Sequence, residues 1–337
     1  MSRALVTGAT GLVGSYIVER LIVDGWSVRA LVRDSLAARW LTEAGAELAR
    51  GDLGDAESLR TAMTGCDTVF HCAALIAASG DWSSFQRANI DGTRAVVEAA
   101  SRAGARLVHT SSVAVYGSAA RYRAAPTDEE TPLAPLPEHA YYARSKREAE
   151  QIVLDAHTTG ELWATAIRPP MIYGKRDRQL VPRFARMMRT GVFPLFGGGR
   201  STFALVHASA VADGAVRAAT IDAAGGRAYN LANDFPVTIA DFVQLGANGL
   251  DRRVRGVHIP LSLARTTFSL LGAAAGIAKQ KAMAEQLPGT VDSFSRDNPF
   301  TSERARRELS WSPTMRPEVG IPEAFAWWRV NRPLPNG

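Results

Sequence analysis

Apolar residues along the chain fall into two periods, and their succession predicts the elements. Arg3-Ala4-Leu5-Val6 reads as a short strand. Leu12, Val13, Tyr16, Ile17, Arg20 and Leu21 then recur at intervals that cover one face of a helix. Further strands are expected at 27–33, 107–110 and 163–168, where short apolar runs are bounded by turn residues. Leu205-Val206-His207, a helical stretch from Val211 to Ala219 and a strand-like Ala228-Tyr229-Asn230-Leu231 repeat the pattern later in the chain. Strands alternating with helices predict an α/β fold: a doubly wound, mostly parallel sheet with a smaller, mainly helical cap toward the C-terminus. The predicted boundaries are 1–175 for the sheet domain, which the chain re-enters at about 204–235. The cap would take 176–203 and 236–315, leaving 316–337 as a tail.

Between the first strand and its helix lies Thr7-Gly8-Ala9-Thr10-Gly11-Leu12-Val13-Gly14. Strand, glycine turn and helix start come in the order a dinucleotide site needs. Gly8 would allow the tight turn, Gly11 the close approach of backbone to pyrophosphate, and Gly14 the packing of helix on strand. With Thr10, Leu12 and Val13 they would form the phosphate cradle, where free N–H groups and the positive end of the helix dipole meet the anion. The second strand ends in Val32-Arg33, about where an adenosine ribose would lie. A cation at that place accommodates a 2′-phosphate, so NADP is favoured over NAD. Asp34 follows directly and keeps NAD possible, and Arg39 is a second candidate charge for the phosphate.

Tyr142 and Lys146 stand four residues apart, the spacing that shares a helix face. An ammonium beside a phenol would lower the phenol's pKa from about 10 and make it a usable acid or base. The spacing alone also fits a solvated helix face.

The Gly-x-x-Gly-x-x-Gly spacing resembles the short-chain dehydrogenase/reductase superfamily. Ser112-Val113-Ala114-Val115-Tyr116-Gly117 at the end of the fifth strand, followed by Tyr142-x-x-x-Lys146, resembles its extended branch, and the likeness runs over nearly the whole chain. The resemblance implies that Ser112, with Ser111 as fallback, hydrogen-bonds the reacting oxygen. Tyr142 would be the general acid in reduction and base in oxidation, and Lys146 would also bind the nicotinamide ribose. It further implies adenine contacts at Asp52 and Leu53, a fourth strand over 69–74 running past the cofactor at Ala73 and Ala74, and a nicotinamide cap at Pro169 and Ile172.

Composition adds limits. At 337 residues and 46% hydrophobic content the chain suits a globular protein larger than one average domain. Its net charge of +6 comes from scattered arginines, such as Arg304, Arg306 and Arg307, which speaks against a nucleic-acid partner. Cys66 and Cys72 form no disulfide framework, no metal ligands are grouped, and the first strand starts too early for a signal peptide, so a cytoplasmic enzyme is expected. The apolar stretch 261–278 is expected to be a buried or lid helix over a hydrophobic substrate, with membrane-surface contact the lesser alternative.

Within the extended branch, nucleotide-sugar enzymes usually carry Arg-Asp ahead of an apolar pair and a histidine. Here Phe203 and Ala204 precede Leu205-Val206-His207, with Arg200 the nearest cation. The expectation is therefore an NADP-dependent reductase of a small hydrophobic carbonyl, resembling the 3-beta-hydroxysteroid dehydrogenase and dihydroflavonol reductase members, and forming a homodimer as the family often does. Two alternatives stand: an NAD-dependent nucleotide-sugar epimerase/dehydratase, and a dinucleotide-binding redox sensor without turnover, whose relatives commonly lose the tyrosine or lysine.

Overall fold

The computed structural model describes residues 2–76, 80–117, 126–232, 235–277, 291 and 297–331, without the side chains of 272 and 274–277. The chain divides into two compact units, the first comprising Met1–Ile172, Val206–Ala232 and Phe300–Thr314. Its strands are β1 (Arg3–Thr7), β2 (Ser27–Val32), β3 (Glu47–Arg50), β4 (Thr68–His71), β5 (Arg106–Thr110), β6 (Ala164–Arg168) and, after three strands outside this sheet (β7, Met171–Tyr173; β8, Val192–Phe196; β9, Leu205–His207), β10 (Ala228–Asn230). They pair in parallel in the order β10-β6-β5-β4-β1-β2-β3. Such a sheet is buried on both faces, which is why its strands read as continuous apolar runs: Ala4, Leu5 and Val6, and likewise Val69 and Phe70, are fully buried.

The strand order reverses between β1 and β4. In doubly wound sheets the ligand crevice lies at that switch point, beyond the carboxyl ends of the strands. Thr7 ends β1 and His71 ends β4, and the two are register partners. Helix α1 (Leu12–Val23) follows β1 and packs on α8 (Ala208–Thr220), with Arg20 ion-paired to Asp213. α8 is rich in alanine, so the two helices approach closely.

A buried polar group fixes the remaining pieces around the site. The Arg168 guanidinium of β6 makes a two-pronged bond to Glu150 of α6 (Tyr141–Thr158), at 2.9 and 2.6 Å, and donates to the Tyr116 hydroxyl at 2.8 Å. Tyr116 donates in turn to Asn230 of β10 at 2.9 Å. Breaking such a buried pair leaves an uncompensated charge and costs about 3–5 kcal/mol, so strand, helix and turn are held in one arrangement.

The second unit comprises Tyr173–Leu205, Asn233–Pro299 and Met315–Gly337. It contains helices α7 (Leu180–Met187), α9 (Ile239–Gly249) and α10 (Leu261–Ile277), and a parallel pair of strands at Val192–Phe196 and Arg255–Ile259. Phe184, Phe193, Phe203, Phe242 and Phe325 form its aromatic core. Two sequence expectations change here. Residues 316–331, expected as part of a tail, contain helix Pro317–Asn331, whose Pro322 and Phe325 lie against Gly249 and Gly246 of α9; a Cβ on Gly249 would stand 2.3 Å from the Pro322 carbonyl oxygen. α10 is not buried along its length: Leu263, Leu270 and Leu271 are 58%, 66% and 50% exposed, while Ala264 is covered. Residue 278 lies outside the described residues. Among the described residues no helix is long and apolar enough to cross a membrane.

Candidate active site

The glycine loop is shaped by close backbone approach. Gly8 has φ +66°, and a Cβ there would lie 2.6 Å from the Ala73 nitrogen. A Cβ on Gly14 would lie 2.3 Å from the Gly8 carbonyl oxygen, so loop and helix can meet only if both positions are glycine. Gly11 caps α1 without any side-chain bond, and the first turn of the helix has no acidic residue. The N–H groups of Leu12 and Val13 therefore face outward at the positive end of the dipole, which is the donor set a pyrophosphate requires.

At the end of β2, Arg33 is exposed. The Asp34 carboxylate turns back on its own loop, accepting from Leu36 and Ala37 N–H at 2.9 and 3.1 Å, while Arg39 lies 3.8 Å from Glu43. Asp52 likewise caps a turn by accepting from Gly54 N–H at 2.9 Å, and Leu53 is half-buried beside it. Ala73 and Ala74 follow β4, half-buried, with the Ala73 N–H at 3.4 Å from the Thr7 hydroxyl. Pro169 is buried and its carbonyl accepts from Val113 N–H at 3.2 Å, tying the segment that ends in Ile172 to the serine turn.

That turn brings Ser112 and Tyr142 together. Ser112 has extended backbone and accepts from Ala114 N–H at 3.2 Å, capping the short helix Val113–Tyr116. Its side chain faces the Tyr142 phenol closely enough to favour the ionised form of that phenol. Ser111, the fallback, points inward: it is 3% exposed and its hydroxyl has no partner among the described residues.

Lys146, one turn along α6, is 2% exposed. Its ammonium donates to the Thr110 carbonyl at 2.5 Å and lies 3.2 Å from His109 Nε2. Burial brings its pKa down to about 8, against the opposing pull of Glu150 and Cys72. Burial also pushes the Tyr142 phenol up, with Ser112 pulling the other way. The expected lowering of the phenol by Lys146 is thus not what the structure gives, because the ammonium is turned onto β5.

A second polar group, unforeseen from the sequence, lies beneath the site. His71 Nδ1 is 2.7 Å from the Thr7 hydroxyl and His71 Nε2 is 3.0 Å from that of Thr93. The Thr93 hydroxyl donates to the Asn89 carbonyl at 2.6 Å, so it can only accept from the ring. His71 thus carries its proton on Nε2 and accepts from Thr7. Burial holds its pKa down at about 3, helped by the Lys146 charge, so the ring is neutral. Asn89 sits in a π-helical turn, Gln86–Asp91, and bonds both the Leu75 backbone and, at 2.9 Å, the Ser145 hydroxyl of α6. Wide turns of this kind are rare and occur often at functional sites.

The model of the NAD dependent epimerase/dehydratase family matches residues 4–232. A 4-hydroxy-2-methyl-3-oxo-4-farnesyl-3,4-dihydroquinoline-1-oxide ketoreductase of Stigmatella aurantiaca is 33% identical, covering 95% of this chain and 94% of the relative. A 2-alkyl-3-oxoalkanoate reductase of Shewanella oneidensis is 30% identical, covering 95% and 85%. The crystal structure of gox2253 superposes with a TM-score of 0.79 at 26% identity, over 98% of this chain and 99% of that one. The chain belongs to the NAD dependent epimerase/dehydratase family, in the extended branch of the short-chain dehydrogenase/reductases. It is an oxidoreductase of that NAD(P)-dependent type.

Phe203 needs a different explanation from the one its sequence position suggested. It is 5% exposed within the second unit, 5.2 Å from Phe242 between ring centroids, and its N–H donates to the Val237 carbonyl. The position supplies no cation for a diphosphate, but its apolar character serves the core of that unit rather than a substrate.

Proposed function

We propose that the protein is an NADPH-dependent reductase of a lipophilic 3-oxo compound, with Ser112, Tyr142 and Lys146 as its catalytic residues. The observation that carries this reading is the placement of Ser112 just beyond β5 beside the Tyr142 phenol, with Lys146 one turn further along the helix that holds Tyr142. The names of the ketoreductase and the oxoalkanoate reductase above share a 3-oxo group and an extended hydrocarbon substituent, which supports that substrate class.

Gly8, Thr10, Gly11, Leu12, Val13 and Gly14 would hold the pyrophosphate. Asp52 and Leu53 would meet the adenine, and Ala73, Ala74, Pro169 and Ile172 the nicotinamide half. Arg33, exposed and with Asp34 folded back on its own loop, would take the 2′-phosphate. The nicotinamide, when bound, supplies hydride to the carbonyl carbon. Ser112 and Tyr142 both hydrogen-bond the carbonyl oxygen, and Tyr142 delivers its proton as negative charge grows there. Lys146 would bind the nicotinamide ribose through the N–H that it does not give to β5.

The test is oxidation of NADPH and of NADH with a panel of 2-alkyl-3-oxoalkanoates and other hydrophobic ketones, with UDP-sugars as competitors. NADPH-dependent turnover insensitive to UDP-sugars is the expected result. Conversion of a UDP-sugar would replace this reading with an epimerase.

A further inference from the structure

We propose that His109 is a positioning residue for Lys146: as a neutral ring it accepts a hydrogen bond from the ammonium on Nε2 and, with the Thr110 carbonyl, sets the direction of the remaining N–H. The inference rests on the reading of Lys146 as a cofactor-binding and catalytic residue.

An ammonium has three N–H donors and no lone pair. One donates to the Thr110 carbonyl at 2.5 Å, and a second has His109 Nε2 as its acceptor at 3.2 Å. One N–H is left for the site. Nε2 must then be unprotonated, so the proton of His109 sits on Nδ1. That nitrogen is buried and has no partner among the described residues. A buried donor without an acceptor is destabilising, and an apolar ring of the same size would fill the space without that penalty. His109 is therefore poorly explained as packing and well explained as the acceptor for Lys146.

The surroundings keep the ring neutral. His109 is 1% exposed, and burial, the Lys146 charge and His71, whose ring centroid is 5.3 Å away, all lower its pKa well below the usual value. The other titratable groups facing Lys146 are Cys72 beyond β4 and Glu150 on α6, the latter paired with Arg168 of β6. Cys72 is a protonated thiol near neutrality, pushed up to about 11 by burial. With Glu150 held by Arg168, the hydrogen-bond acceptors of the ammonium are an uncharged ring and a backbone carbonyl.

Two measurements test the assignment. In the free protein, 15N NMR of labelled histidine, with the His109→Gln spectrum identifying the peak, should show His109 as the neutral Nδ1–H form and His71 as the Nε2–H form. This readout needs neither substrate nor cofactor, and a proton on His109 Nε2 would overturn the proposal. The second measurement is NADPH affinity by fluorescence across pH for His109→Phe and His109→Gln. The phenylalanine removes the acceptor and keeps the ring, so affinity should drop about 10-fold and the alkaline limb should move down by about one pH unit. The glutamine oxygen can accept in place of Nε2 and should recover most of both. If phenylalanine behaves as wild type, or glutamine fares no better than phenylalanine, His109 is only structural. If wild-type protein does not bind NADPH at all, the reading of the cofactor site fails instead, while the NMR result still decides the His109–Lys146 contact.

Discussion

The Thr7 hydroxyl donates to His71 Nδ1 at 2.7 Å across the pair of strands where the sheet order reverses. The bond joins the last residue before the glycine loop to the last residue of β4, and both side chains are fully buried. It fixes the floor of the crevice into which the dinucleotide would enter. Thr7→Val keeps the shape and leaves the ring nitrogen without a donor, which should reduce stability by about 1–3 kcal/mol in urea denaturation. An unchanged midpoint and slope would show that the bond contributes nothing.

Gly14→Ala places a Cβ on the Gly8 carbonyl oxygen. Relief requires the loop and the start of α1 to move apart, which should cost about 1–3 kcal/mol of stability. NADPH affinity should fall with it, because the outward N–H groups of Leu12 and Val13 shift with the helix. Parallel urea and fluorescence titrations would check both effects.

Arg33→Ser tests cofactor choice. Loss of one charge-assisted contact at an exposed position should weaken NADPH binding about 10-fold and leave NADH nearly unaffected. Equal losses for the two cofactors would remove Arg33 from the 2′-phosphate site.

Lys146 gives a stability signature with a definite sign. Its pKa in the folded protein is about 8, against 10.5 for the ordinary side chain. Between those values the unfolded chain binds more protons than the folded one, so folding becomes more favourable as pH rises through the interval. Relative to Lys146→Met, the wild-type protein should gain on the order of 3 kcal/mol from below pH 8 to above pH 10.5. Denaturation series of both proteins over that range would reveal a flat difference if the lysine were not buried as a charge.

The sheet was legible because a strand covered on both faces must be apolar throughout, and because Gly8, Gly11 and Gly14 mark a turn that few other sequences tolerate. Tyr142 and Ser112 stand out in the sequence by the family order of their motifs. The supporting polar group was not. His71 and His109 sit singly within apolar strands, where a histidine reads as core, and Asn89 reaches the site only because its helix widens into a π turn. Phe203 was read for its chemistry, whereas its surroundings show a packing role. The exposure of Leu263, Leu270 and Leu271 on α10 depends on what packs nearby, which hydropathy along the chain does not encode.

In the function proposed above, Tyr142 delivers the proton in an NADPH-dependent reduction. The direct measurement is single-turnover NADPH oxidation by Tyr142→Phe with the best substrate from the ketone panel, alongside NADPH affinity. A rate at least ~100-fold below wild type, with affinity close to wild type, is expected for loss of a general acid. Turnover that survives the substitution would contradict that role.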